Sequence, residues 1–488
     1  MREFITNHRL LVIGVAFALV VAIGVIAFLV SLPQSPSTNT NNSASGPTPT
    51  PTTSGGATAT VKTSAAPTAS GAASGNIIWW GAFLSEADVA PLIAKYTAAN
   101  PGVKITYLNN ATKQSDLVNY RKKLTDAYAN PSISANPDVM LLDSGWFGAT
   151  LPNLEAAPSD KLSYSDFSTN FYDFVTADLT RKSKVYGVPM WVDNLAVIYN
   201  KKLWTAEGLT SPSLDWSKMT SEQLSKLTKR DTNGTVTTGG ISGGVIKNSE
   251  FWFEITNMLM LQNGVKMTND GSASTTATPT TGTLAATFAS NPDSKDSVSF
   301  YKNFAGSGKY WNSNFNEDIA AFLEKKLATY IAPSWRLNDV LRYNTVAGLG
   351  IEVGISEVPQ LRSTSNEKSN FATYWANAVN KNSTKKTAAW DFLVFLGQAE
   401  NIELLNTTMK TNKSTVTGII YPRKDMKSKQ LADQYLSEYV KALDYTKTWY
   451  MVDETAVRSA FSQFYDSNAG VETVQSEVNN TLSKFKEP

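Results

Sequence analysis

The chain of 488 residues has no cysteine and a single histidine, His8. It therefore has no thiol nucleophile, no disulfide and no thiol on which to carry a lipid. Beyond His8 neither a Ser-His-Asp triad nor a His- or Cys-based zinc site can be assembled, so no metal site is expected. A pair of carboxylates is the main enzymatic route left open. An excess of either charge is missing too. Removing Arg2, Arg9 and Lys62 from the 44 basic residues and Glu3 from the 42 acidic ones leaves 41 of each. Such a balance argues against nucleic acid or an anionic membrane surface as the main partner, since both reward a basic excess. Residues 33–75 lack aromatics and carry one charge, Lys62, and one large aliphatic, Val61. That stretch cannot bury enough surface to offset its ordering entropy and is expected to be a disordered tether.

What the ends do contain is an almost unbroken apolar run from Leu10 to Leu32, closed by Pro33. A bilayer-spanning helix needs about 20 apolar residues, more than the apolar part of a secretory signal. The cationic residues precede the run, which puts the N-terminus in the cytoplasm. The expectation is a single-pass anchor in residues 1–32 that meets the lipid bilayer through residues 10–32. A tether at 33–75 with a span of roughly 35–40 Å would follow, and then an extracellular domain at 76–488. That domain is too long for one ordinary core and points to two lobes.

Along the domain, Ile77 to Trp80 reads as a buried strand. Ser85 and Asp88 have the spacing of a capping box opening a helix to about Asn100, where Pro101-Gly102 stops it. Val103 to Leu108 alternates as a strand, Ser115 to Ala129 has a helical pattern, and Asp138 to Leu142 follows Pro137 as a third strand. Strand, helix, strand, helix, strand implies a parallel sheet with right-handed crossovers. Such sheets bind ligands at the carboxyl ends of their strands, which directs attention to Trp80–Phe83 and Asp143–Trp146. Met258–Leu261 and Phe392–Leu396 read as helical core.

Further along, Tyr186-Gly187-Val188-Pro189 leads into a strand ending Tyr199-Asn200-Lys201. With Asn100-Pro101-Gly102, Pro137-Asp138-Val139, Ala332-Pro333-Ser334-Trp335, Tyr374–Val379, Ala388–Leu393 and Tyr421-Pro422-Arg423 in order, the chain resembles the family 1 extracellular solute-binding proteins of ABC importers, the group of the maltose-type sugar receptors. The resemblance implies a two-lobed α/β fold of the class II periplasmic-binding-protein type, each lobe a mostly parallel sheet flanked by helices. It places lobe 1 at about 76–193 and 377–422, and lobe 2 at about 194–376 and 423–488. It further implies a small solute, a sugar or oligosaccharide, ABC permease subunits as partners, no cofactor, and action as a monomer. The Thr/Ser-rich stretch Thr268–Thr283 departs from the family as a loop insertion, and Leu142, Gly145 and Trp146 replace a tryptophan and an Asp-Arg pair of the maltose receptors.

A sugar offers C–H faces that pack on indole and a rim of hydroxyls that seek carboxylates or amides. Trp335 matches the stacking tryptophan of the family and Asp193 the carboxylate at the first crossing between lobes. Trp80, Trp146, Trp252 and Trp375 are further aromatic candidates, with Asp143 and Asn377 as polar ones. Against each stands its reading as ordinary core, because large aromatics are mostly buried. Two other functions are compatible with the sequence: a carboxylate-pair glycoside hydrolase, and a sensory or adhesion ectodomain.

Overall fold

The computed structural model describes residues 75–269, 284–306, 308–361 and 368–485. The expected anchor at 1–32, nearly all of the tether and most of the Thr268–Thr283 loop lie outside these. Among the described residues no helix is long and apolar enough to cross a membrane.

Strand β1 (Gly75–Gly81) buries Ile77 and Trp79 completely. Helix α1 (Glu86–Ala99) starts at the capping box: the Asp88 amide donates to the Ser85 hydroxyl at 3.2 Å and the Ser85 amide to the Asp88 carboxylate at 3.0 Å. These contacts satisfy two N–H groups that a helix start otherwise leaves open. Strand β2 (Val103–Asn109) alternates in burial and lies parallel to β1, with Ile105 opposite Ile77. Helix α2 (Leu117–Ala129) leads to β3 (Val139–Asp143), which joins the other side of β1 in parallel. Short strands β4 (Leu154–Glu155) and β5 (Val188–Pro189) follow.

The chain then builds a second sheet. Strand β6 (Leu195–Asn200), buried at every residue, is its centre. Helix α3 (Trp252–Gln262) is likewise buried throughout, so its apolar residues are not confined to one face. Strand β7 (Thr329–Pro333) runs directly into helix α4 (Ser334–Val346), which returns the chain to β8 (Val353–Ser356). Both β7 and β8 lie antiparallel to β6, one on each side.

Strand β9 (Trp375–Asn380) re-enters the first sheet, antiparallel to β3, and β4 and β5 pair with it. The six-stranded order is β2-β1-β3-β9-β4, with β5 also on β9. Helix α5 (Lys386–Leu396) packs on β9 and α6 (Ala399–Thr411) on α1. Helix α7 (Glu454–Asp466) touches both α3 and the turn after β3.

In the first sheet β1 pairs in parallel with β2 and β3, as the sequence pattern implies, whereas all three pairings of β9 are antiparallel. The second corrects the expectation: its three strands are antiparallel at both pairings. An all-buried strand such as β6 has no alternation to reveal its neighbours, and their direction comes from where distant segments re-enter. The segments passing between the sheets run side by side. The Thr373 amide donates to the Asp193 carbonyl at 3.1 Å, and the Val192 amide to the Ile420 carbonyl at 3.1 Å.

Candidate ligand-binding cleft

Register brings the site together at the end of β3. Asp143, its last residue, lies opposite Trp375, the first of β9, so both emerge at the same edge. The Asp143 carboxylate accepts the Gly145 amide at 2.8 Å and starts the turn Ser144–Trp146, while the Ser144 amide donates to the Tyr374 carbonyl at 2.9 Å. Trp146 and Trp375 meet edge to face, 5.3 Å between centroids. The Arg121 guanidinium lies 5.2 Å from the Trp146 ring and is held by Asp453 and by the Thr455 hydroxyl.

The second wall is Trp335, in the first turn of α4. It packs edge to face on Phe251 at 5.5 Å, with the Arg336 guanidinium 4.6 Å from its ring. Arg336 in turn pairs with Glu250 and Asp339. Between the walls is a cavity of about 670 Å³, which Trp449, Glu254, Glu454 and Arg458 also line. That is the size of a small-molecule pocket. Trp449 is fixed by its indole N–H, which donates to the Asn257 side chain at 2.7 Å.

Two carboxylates hold one guanidinium, and a third, Asp143, lies beside Glu454. Arg458 donates to Glu454 at 2.7 and 3.0 Å and also pairs with Glu254. Burial, with the negative charge of Glu454 beside it, pushes the Asp143 carboxyl well above the ordinary carboxylate range. Burial raises Glu254 as well, against the pull of Arg458.

Four of the eight candidate residues line the cavity: Asp143, Trp146, Trp335 and Trp375. The other four are placed elsewhere. Asp193 is sealed at the start of α4, where its carboxylate accepts the Ser334 amide (2.9 Å), the Ser334 hydroxyl (2.7 Å), the Trp335 amide (3.2 Å) and the Asn194 amide (2.8 Å). With four donors engaged it is a helix cap that steadies Trp335, and burial pushes it up to about 7. Asn377 is fully buried and its side-chain oxygen accepts the Trp79 indole N–H at 2.9 Å. Trp375 and Asn377 share a face of β9, but two residues carry the side chain about 7 Å along the strand, from the edge of the sheet into its interior. Trp252 packs on Phe253 and Tyr465, and Trp80 packs against the hydrophobic core. Glu254, Glu454 and Arg458 escaped the sequence reading. The one available signal was the i, i+4 spacing of Glu454 and Arg458 after the helix-capping Asp453.

Residues 91–451 match the family described as bacterial extracellular solute-binding protein. The chain belongs to this family. As a solute-binding protein it is a receptor rather than an enzyme, and the hydrolase alternative falls away. It is 20% identical over 310 residues to a binding protein of Brucella abortus strain 2308, covering 62% of this chain and 67% of that one. Solved structures share its fold. A sugar-binding protein of Xanthomonas citri superposes with a TM-score of 0.62 at 19% identity, over 84% of this chain and 97% of the other. The GacH receptor of Streptomyces glaucescens, solved unliganded and with acarbose, gives 0.60 at 18%, over 85% and 100%. A cyclo/maltodextrin-binding protein complexed with maltotetraose gives 0.61 at 14%, over 84% and 96%. The solute-binding protein thus has the two-lobed α/β fold of the maltose receptors.

Proposed function

We propose that this protein captures a sugar or oligosaccharide in the cleft and delivers it to the permease of an ABC importer. The carrying observation is the make-up of the cavity: Trp335 on one wall, Trp146 and Trp375 on the other, and the carboxylates Asp143, Glu254 and Glu454 beside them. Indole faces pack the C–H faces of a sugar ring, and carboxylates accept its hydroxyl protons. The sugar names carried by the structural neighbours support the same reading.

Lobe 1 comprises about 76–193 and 377–422, and lobe 2 about 194–376 and 423–488. They close on the ligand about the segments near Asp193 and Thr373, and closure shifts the population toward the form the permease reads. Residues 10–32 hold the receptor at the cell membrane as a single-pass anchor, with 33–75 as tether. Intact-mass analysis of membrane-extracted protein tests the anchor: a chain beginning after Pro33 would refute it.

Titration of the full chain with mono- and oligosaccharides, followed by tryptophan fluorescence and calorimetry, tests the function. Saturable binding of at least one saccharide is expected, with amino acids, peptides and polyamines inert. If none of the saccharides binds while another solute class does, the sugar reading is wrong.

A further inference from the structure

The charges lining the cavity are unequally served. Arg121 is taken by Asp453 and Thr455, Lys122 by Asp126 at the outer surface, and Glu250 by Arg336. Asp178 accepts the Tyr374 hydroxyl at 2.9 Å and the Thr448 hydroxyl at 2.9 Å. Among the described residues that line the cavity, Arg458 is then the cation left to serve Asp143, Glu254 and Glu454. It pairs with the last two, and one guanidinium cannot neutralise three carboxylates.

The mismatch is visible atom by atom. Glu254 is 6% exposed and lines the cavity, yet among the described residues its Oε2 meets no hydrogen-bond donor. Asp143 is partly exposed, and the cavity lies against it. A Cβ added at Gly145 would lie 3.1 Å from both Asp143 Oδ1 and Glu454 Oε2, so those two oxygens are at most twice that distance apart. Two acids so close do not both ionise without cost, and a cation seated beside them relieves their repulsion as uptake of a proton by Asp143 does. Among the described residues no group of three His, Cys, Asp or Glu forms a metal cage.

We infer that the saccharide selected by this cleft carries a cationic amine, which binds among Asp143, Glu254 and Glu454. The inference rests on the saccharide-receptor reading and narrows it to amino sugars and their oligomers. A hydroxyl offers the carboxylates one neutral donor. An ammonium offers up to three charge-assisted ones and also relieves the repulsion among the acids.

The test uses matched saccharides differing in one substituent, free amine, N-acetyl or hydroxyl, in both α-1,4- and β-1,4-linked series, titrated calorimetrically into the full chain in detergent at pH 7. In the series that binds, the amine form is expected to bind about tenfold or more tightly than its N-acetyl and hydroxyl counterparts. Raising salt should weaken the amine form more than the others. Glu254→Gln and, as a second variant with its folding checked by melting, Asp143→Asn should each shrink that preference severalfold. Equal or tighter binding of the neutral forms overturns this inference and leaves the saccharide receptor standing. Absence of binding by all three forms in both series, with any other saccharides added, overturns both.

Discussion

The two walls of the cleft use the same device to opposite ends. On each, an aspartate accepts backbone amides at the start of a turn or helix and so positions a tryptophan: Asp143 for Trp146, Asp193 for Trp335. Asp143 spends one oxygen on that task and lies open to the cavity. Asp193 engages four donors and is sealed. Residue type and proximity to a strand end do not distinguish a cavity-facing carboxylate from a sealed one. The number of donors already committed does.

Asp193→Ala should have the largest effect. It strands three amides and a hydroxyl in the interior and should cost about 3 kcal/mol of stability, read as a drop in the denaturation midpoint of the ligand-free protein. If stability holds and only affinity falls, Asp193 belongs with Asp143 after all.

Trp335→Ala is expected to do the reverse. Loss of a central aromatic anchor should weaken saccharide binding by about 2–3 kcal/mol, with the ligand-free melting temperature nearly unchanged because the ring is partly exposed. A fall in stability with affinity spared would make Trp335 a core residue.

Gly145→Ala probes the first wall. The new methyl would lie 2.5 Å from the Glu454 Cβ, so the turn holding Trp146 must move away from α7. A loss of about 1–2 kcal/mol in affinity is expected from such overpacking, measured by calorimetry. Unchanged affinity would show that the turn yields without disturbing the cleft.

A separate check is the pH dependence of the ligand-free protein. Burial raises Asp193, and likewise Asp318, a buried residue whose carboxylate accepts the Glu250 and Ile319 amides, from 3.8 to about 7. An acid raised on folding favours the folded state while it is protonated. Its contribution is therefore full below pH 3.8 and is lost as pH rises through about 7. The ligand-free protein should melt lower at pH 8 than at pH 5.5 through these groups, and Asp318→Asn should reduce that difference. An equal pH slope in the variant would exclude Asp318 as a source.

Most of the first lobe was legible in the sequence because its information is local. The capping box at Ser85 and Asp88, the Pro101-Gly102 stop, the alternation in β2 and the apolar run of β3 each concern neighbours within a few residues. The edge at which Asp143 and Trp146 emerge followed from the parallel topology. The absence of cysteine, and of any histidine beyond His8, already excluded thiol and histidine chemistry.

Tertiary structure alone decided the rest. The direction of the strands flanking β6 depends on a chain that returns after more than a hundred residues, and a uniformly apolar strand records nothing of it. Whether Asp193 faced ligand or capped a helix depended on Ser334 and Trp335, 141 and 142 residues away. Glu254 and Arg458 are 204 residues apart in the chain and touch in the fold. Local patterning specifies elements, because hydrogen-bond satisfaction and burial act over one or two turns. Which charges share one cavity depends on packing between elements remote in sequence, and no local pattern encodes that.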